Sequence, residues 1–183
     1  FVSLLLLSFH RKTNNQRTKW PPPVLVMSPF GAKGFYNHYL DEPYDDPLLP
    51  HDPIKEFDLY VPKGPGFPAG PKPLVVFIHG GGFTAGGKRE TKDPYQPNQE
   101  VAALLEGGVA FASVNYTLLA VGEDVGIPKC VHDCYDCIQY IRSKASHYGI
   151  DPGRIVLWGG SAGAGISMLL AFDQARYALP IKA

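Results

Sequence analysis

Ser161 stands in Gly159-Gly160-Ser161-Ala162-Gly163, between the strand-like run Arg154-Ile155-Val156-Leu157-Trp158 and the helix-like run Ile166-Ser167-Met168-Leu169-Leu170-Ala171. A strand that turns at once into a helix forces a strained bend in which only small neighbours fit, and a serine at its tip projects its hydroxyl outward. Such a serine is a candidate nucleophile. The motif also arises by chance in a glycine-rich chain, and this chain has 20 glycines. A second motif changes that balance. Pro73-Leu74-Val75-Val76-Phe77-Ile78-His79-Gly80-Gly81-Gly82-Phe83 is a short continuous apolar run ending in His-Gly-Gly-Gly. The run reads as a strand buried on both faces. Three consecutive glycines let the backbone turn its N–H groups toward one point, which is what stabilising an oxyanion requires. A plain glycine turn is the alternative, and the order and spacing of the two motifs weigh against it.

The elements that must position these residues follow from composition and punctuation. Phe57 to Val61 reads as a strand, followed by a loop rich in proline and glycine from Pro62 to Pro73. Pro97 to Glu106 suits a helix, with Gly107-Gly108 as its stop signal. Residues Gly165 to Tyr177 read as a second helix. Strands alternating with helices favour a parallel sheet. The stretch from Trp20 to Pro53 carries Pro21-Pro22-Pro23, Pro43, Pro47, Pro50 and Pro53. Prolines so placed break any helix, so residues 1–53 are expected to form an irregular arm and residues 54–183 a folded domain.

Over residues Glu56 to Phe172 the chain resembles the α/β-hydrolase superfamily, and within it the carboxylesterase and hormone-sensitive-lipase-like branch. The His79-Gly80-Gly81-Gly82 and Gly159-Gly160-Ser161-Ala162-Gly163 motifs carry the resemblance, with Phe57 to Pro62 as the entering strand and Val109 to Tyr116 as the strand after the glycine loop. The resemblance implies an α/β-hydrolase fold, a mostly parallel sheet with helices on both faces. It also implies a serine mechanism on a small-molecule ester, without cofactor or metal. Ser161 would be the catalytic nucleophile. The oxyanion donors would be the backbone N–H groups of Gly81, Gly82 and Ala162, with Gly80 a weaker candidate. His79 and Asp133 would be structural. Phe83 and Tyr116 are candidates for the mouth of the site or for plain core. In related esterases an N-terminal segment can cover that mouth.

The family order is nucleophile, then acid, then histidine. Residues 162–183 contain no histidine, and Asp173 is their one acid. It falls in the expected helix and reads as a solvated helix residue. All six histidines (His10, His38, His51, His79, His132, His147) precede Ser161. The chain is therefore expected to be the N-terminal part of a longer esterase, truncated after the nucleophile helix. A peptidase of the same superfamily and a noncatalytic derivative are the rival readings.

With 183 residues and 45% hydrophobic content there is enough material for a sizeable core and a single domain. Formal charge balances at 17 basic and 17 acidic residues, so no basic patch argues for nucleic acid, and no apolar run has the length of a membrane span. Oligomeric state is not legible. Phe1 to Phe9 has the length of a signal-peptide apolar region without its basic flank, so a clipped export signal and an upstream segment both remain open, as does the compartment. Cys130, Cys134 and Cys137 match an iron–sulfur spacing, yet they also continue an apolar stripe with Ile141 and Ala145 at helical period. A buried helix face is the expectation. Disulfide or redox pairing and a metal cluster are the alternatives.

Overall fold

The computed structural model describes residues 6–7, 24–27, 35–45, 48, 50–89, 99–119 and 126–179. In chain order these form β1 (Leu6–Leu7), β2 (Val24–Met27), β3 (Phe35–Pro43), β4 (Glu56–Lys63), β5 (Lys72–Ile78), α1 (Gln99–Glu106), β6 (Ala110–Val114), α2 (Ile127–Ser143), α3 (Ala145–Tyr148), β7 (Ile150–Gly159), α4 (Ala162–Phe172) and α5 (Gln174–Tyr177). The strands make one sheet in the order β1-β7-β5-β6-β4-β3-β2. Its centre, β7-β5-β6, is parallel; β4, β3 and β2 continue one side antiparallel, and β1 pairs antiparallel with β7 at Leu157 and Val156. The fold is that of an α/β-hydrolase.

Strand side chains alternate between faces, and the alternation builds two cores. From β5, Leu74, Val76 and Ile78 join β4 residues Phe57 and Leu59, α2 residues Cys134, Cys137 and Ile141, and α4 residues Ile166 and Leu170. On the opposite face Val75, Phe111 and Val156 pack with Val101 and Leu105 of α1, flanked by Phe77 and Trp158. A continuous apolar run in β5 is thus explained by helices on both sides of it.

The three cysteines lie on the buried face of α2, unpaired. Burial pushes the Cys134 and Cys137 thiols well above the usual range, which keeps them protonated and unreactive. Proline at the start of α2 suits a position whose N–H has no helical acceptor.

Two expectations need correction. The N-terminal segment expected to be irregular supplies β2 and β3, and β3 pairs with β4 from Phe35↔Lys63 to Pro43↔Glu56. Its prolines bracket these strands instead of interrupting them: Pro43 is the last residue of β3. The expected helix from Gly165 to Tyr177 is two helices. Asp173 sits at their junction, where its Oδ1 accepts from Arg176 N–H at 3.2 Å, an N-cap contact that starts α5. The possible leader at residues 1–9 lies outside the described residues except for Leu6–Leu7.

Candidate active site

Because β5 and β7 run parallel with Ile78 opposite Gly159, the chain segments leaving their C-terminal ends are neighbours. The His-Gly-Gly-Gly loop and the serine turn therefore meet at one sheet edge. A Cβ placed on Gly80 would stand 3.0 Å from Gly160 O and 3.5 Å from Ser161 Cβ. Ser161 occupies φ 54°, ψ −119°, between the last residue of β7 and the first turn of α4. That backbone region is costly for a residue with a side chain, and such strain persists only where the surroundings enforce it. Here Gly163 N–H donates to Gly160 O at 3.0 Å and Gly165 N–H to Ser161 O at 3.1 Å, so the turn is closed on both sides. Ser161 is exposed. Close approach of α4 to β5 depends on Gly163, whose Cβ would lie 2.0 Å from Ile78 O.

The glycine loop reverses through three successive left-handed residues, Gly81 (φ 96°), Gly82 (φ 62°) and Phe83 (φ 66°). Thr84 and Ala85 N–H groups both donate to Gly81 O at 3.1 Å, and the turn is tight enough that a Cβ on Gly81 would meet Ala85 O at 2.0 Å. Among the described residues the N–H groups of Gly81, Gly82 and Ala162 have no hydrogen-bond acceptor. The first two sit in a loop beside Ser161 and the third at the N-terminus of α4, where the helix dipole favours negative charge.

Packing beneath the loop is specific. His79 is buried, donates from Nδ1 to Gly80 O at 2.9 Å, and stacks on the Tyr116 ring at 4.2 Å and 12°. Tyr116 O–H approaches the carbonyls of both His79 (3.0 Å) and Gly80 (3.3 Å). Tyr116 is thus core that holds the loop, while Phe83 packs at the edge of the larger core and its carbonyl accepts from Leu119 N–H at 2.7 Å.

None of the described histidines hydrogen-bonds Ser161. His38 packs its ring against Tyr36 and Tyr60, His51 bridges Asp45 and Glu56, His132 pairs with Asp136, and His147 packs its ring on Tyr39 and Tyr148. Asp173 caps α5.

Sequence reading missed the far end of the loop. The Lys88 side chain is 5% exposed, and its ammonium lies among Asp41, Glu56 (2.7 Å) and Asp58 (3.5 Å). Arg89 pairs with Asp41 at 2.6 Å and with Asp58 at 3.2 Å. Burial opposes charge on both Lys88 and Asp41, yet their pairing prevails: Asp41 is held down at about 2 and Lys88 is raised. Asp133, read from sequence as structural, is fully buried in α2; it accepts from Lys55 at 2.6 Å, from Lys129, and from Thr117 N–H at 3.0 Å. Its burial alone would raise its pKa, and these donors hold it low. It fastens α2 to the segment after β6.

A parallel strand turning through a serine of positive φ into a helix, with a glycine loop from the neighbouring strand alongside, is the strand-turn-helix arrangement of the α/β-hydrolase fold. The chain belongs to the BD-FAE family, whose model matches residues 57–181. A probable isoprenylcysteine alpha-carbonyl methylesterase of Oryza sativa subsp. japonica is 29% identical over 157 residues, 83% of this chain and 34% of that protein. Carboxylesterase NlhH of Mycobacterium tuberculosis is 33% identical over 99 residues, 54% of this chain and 28% of the relative. Among solved structures, esterase B of Lactobacillus rhamnosis aligns with TM-score 0.63 at 24% identity, covering 79% of this chain and 42% of that one. A bacterial heroin esterase aligns with TM-score 0.56 at 30% identity, covering 79% and 41%. The chain spans about a third of the length of the curated relatives it matches. Among the described residues no helix is long and apolar enough to cross a membrane.

Proposed function

We propose that the protein carrying this chain is a serine-dependent carboxylic-ester hydrolase acting on a small-molecule ester. The observation that carries the reading is the strained, exposed Ser161 placed beside the glycine loop at the shared end of β5 and β7. Ser161 Oγ attacks the ester carbonyl carbon as a histidine takes its proton, and the carbonyl electrons move onto oxygen. Gly81, Gly82 and Ala162 N–H groups receive that oxyanion. Collapse expels the alcohol, which takes the proton back from the histidine, and leaves an acyl group on Ser161. Water, activated by the same base, then releases the carboxylic acid. Since none of the described histidines hydrogen-bonds Ser161, we assign the base and its orienting acid to residues outside those described. Relatives named as carboxylesterases and methylesterases support ester chemistry over peptide chemistry.

Replacing Ser161 by Ala in the full-length protein should lower kcat toward p-nitrophenyl esters by about 10⁴-fold or more, leaving only oxyanion and binding contributions. A panel of such esters of increasing chain length fixes the acyl preference. Turnover that survives Ser161→Ala would remove the basis for the proposal.

A further inference from the structure

The glycine loop leaves β5 at His79, is held midway where Leu119 N–H donates to Phe83 O at 2.7 Å, and is tied back to β6 at Lys88. Between His79 and Lys88 lie Gly80 to Gly87, and two of them, Gly81 and Gly82, carry the N–H groups assigned above to the oxyanion. The midway bond and the turn closed on Gly81 O hold the donors locally, and fixing both ends of the loop limits its remaining movement. Its near end is fixed by Tyr116, as described. At the far end the Lys88 backbone is held twice: its N–H donates to Asn115 Oδ1 at 2.7 Å, and Ser113 O–H donates to its carbonyl at 2.6 Å. Those contacts tie the loop to β6 and the residue after it. The side chain then reaches across β6 to the antiparallel strands, where Asp41, Glu56 and Asp58 converge on it.

We propose that Lys88 is a positioning residue for ester hydrolysis: its buried ammonium, clasped by Asp41, Glu56 and Asp58, anchors the far end of the glycine loop to β3 and β4. The inference rests on the active-site reading given above. The arrangement is built for this purpose in a way that a surface ion pair is not. Asp41 sits at φ 53°, at the register shift between Tyr39 and Glu42, where β3 bulges. The bulge turns its carboxylate onto Lys88 and Arg89, and its own N–H donates to Asp58 Oδ1 at 2.9 Å. A strand is thus distorted in order to bring a carboxylate to the loop. Glu56 is shared in turn with His51 at 2.8 Å, which continues the network to the loop before β4. Lost anchoring would let the donors drift, and a displacement of about 1 Å at a reacting centre costs up to about 100-fold in rate. Because those donors act on charge that exists only in the transition state, the loss falls on kcat and leaves KM nearly unchanged.

Lys88→Met would leave Asp41, Glu56 and Asp58 with only the more exposed Arg89 and His51 as partners and would compromise folding. Asp41→Asn is the deciding variant. Its side chain is half exposed, asparagine tolerates the left-handed backbone, and Lys88 retains Glu56 and Asp58. Both variants and the wild type are made in the full-length protein, and active sites are counted by fluorophosphonate labelling so that rates refer to folded enzyme. The expected result for Asp41→Asn is a kcat lower by about 3- to 10-fold, KM within about twofold, and binding of a trifluoromethyl ketone weakened by the same factor as kcat. Folded Lys88→Met should show a larger change of the same kind. An unchanged kcat per labelled site in Asp41→Asn, or a change confined to KM, would overturn the inference while leaving the nucleophile assignment intact. Wild type that is not labelled at Ser161 would overturn both.

Discussion

Adding one methyl group at Gly163 and one at Gly165 should have opposite effects, although both sit on α4 two residues apart. A Cβ at Gly163 would lie 2.0 Å from Ile78 O and 2.7 Å from His79 O, backbone atoms that cannot rotate away. Bringing the first contact to 3.0 Å, the shortest separation real Cβ atoms show, requires α4 and β5 to part by 3.0 − 2.0 = 1.0 Å. That movement unpacks Ile166 and Leu170, both fully buried under the helix. Overpacking of this kind costs about 1–3 kcal/mol, and more where the obstacle is backbone. Each kcal/mol lowers Tm by about 2–4 °C in a domain of about 150–250 residues and by less in a larger one. The same displacement carries Ser161 and Ala162 with it, so kcat should fall by about 10- to 100-fold. At Gly165 a Cβ meets nothing within 4 Å, and alanine there stabilises a helix interior by about 0.5–1 kcal/mol. Scanning calorimetry and ester kinetics on both variants read these signs directly. If Gly163→Ala melts with the wild type, or Gly165→Ala is destabilised as much as Gly163→Ala, the close contact between α4 and β5 is not as described.

Three further outcomes are expected. Cys134→Ala or Cys137→Ala should cost about 1 kcal/mol in chemical denaturation and leave kcat unchanged, because both thiols are packing groups; stoichiometric iron in anaerobically purified protein would contradict this. Asp41 is held near 2 in the folded protein against 3.8 for the free carboxyl, so its stabilising contribution is complete above pH 4 and fades as pH falls toward 2. Asp41→Asn should therefore flatten the pH dependence of stability over that interval, and an unaltered slope in acid-unfolding curves would refute the pairing. Tyr116→Phe keeps the ring stacked on His79 but removes the hydroxyl from two carbonyls, so stability should drop by about 1–2 kcal/mol, with refutation in an unchanged unfolding midpoint.

The parts of this fold legible in the sequence are those where one local signal decided the outcome. β5 announced itself as an unbroken apolar run, and the cysteine face of α2 as a stripe at helical period that the structure buries at Cys130, Cys134, Cys137 and Ile141. The turn at Ser161 was readable because strand, small residues and helix follow in immediate succession. β3 is not legible, since Pro43 reads as a breaker from sequence and in the fold is the last residue of the strand. Asp173 was misplaced for a related reason: a two-helix junction without glycine or proline looks like one helix until the cap is seen. Lys88 left no signal. It lies in a glycine loop where neither period applies, and its partners, Asp41, Glu56 and Asp58, come from β3 and β4, brought to it only by the sheet.

The central claim is that Ser161 is the nucleophile, and the residue modified by a fluorophosphonate tests it most directly. Full-length protein treated with such a probe, digested and sequenced by mass spectrometry should carry the label on Ser161 and on no other residue, with labelling abolished in Ser161→Ala. Label on a different side chain, or label that persists in the variant, would contradict the account.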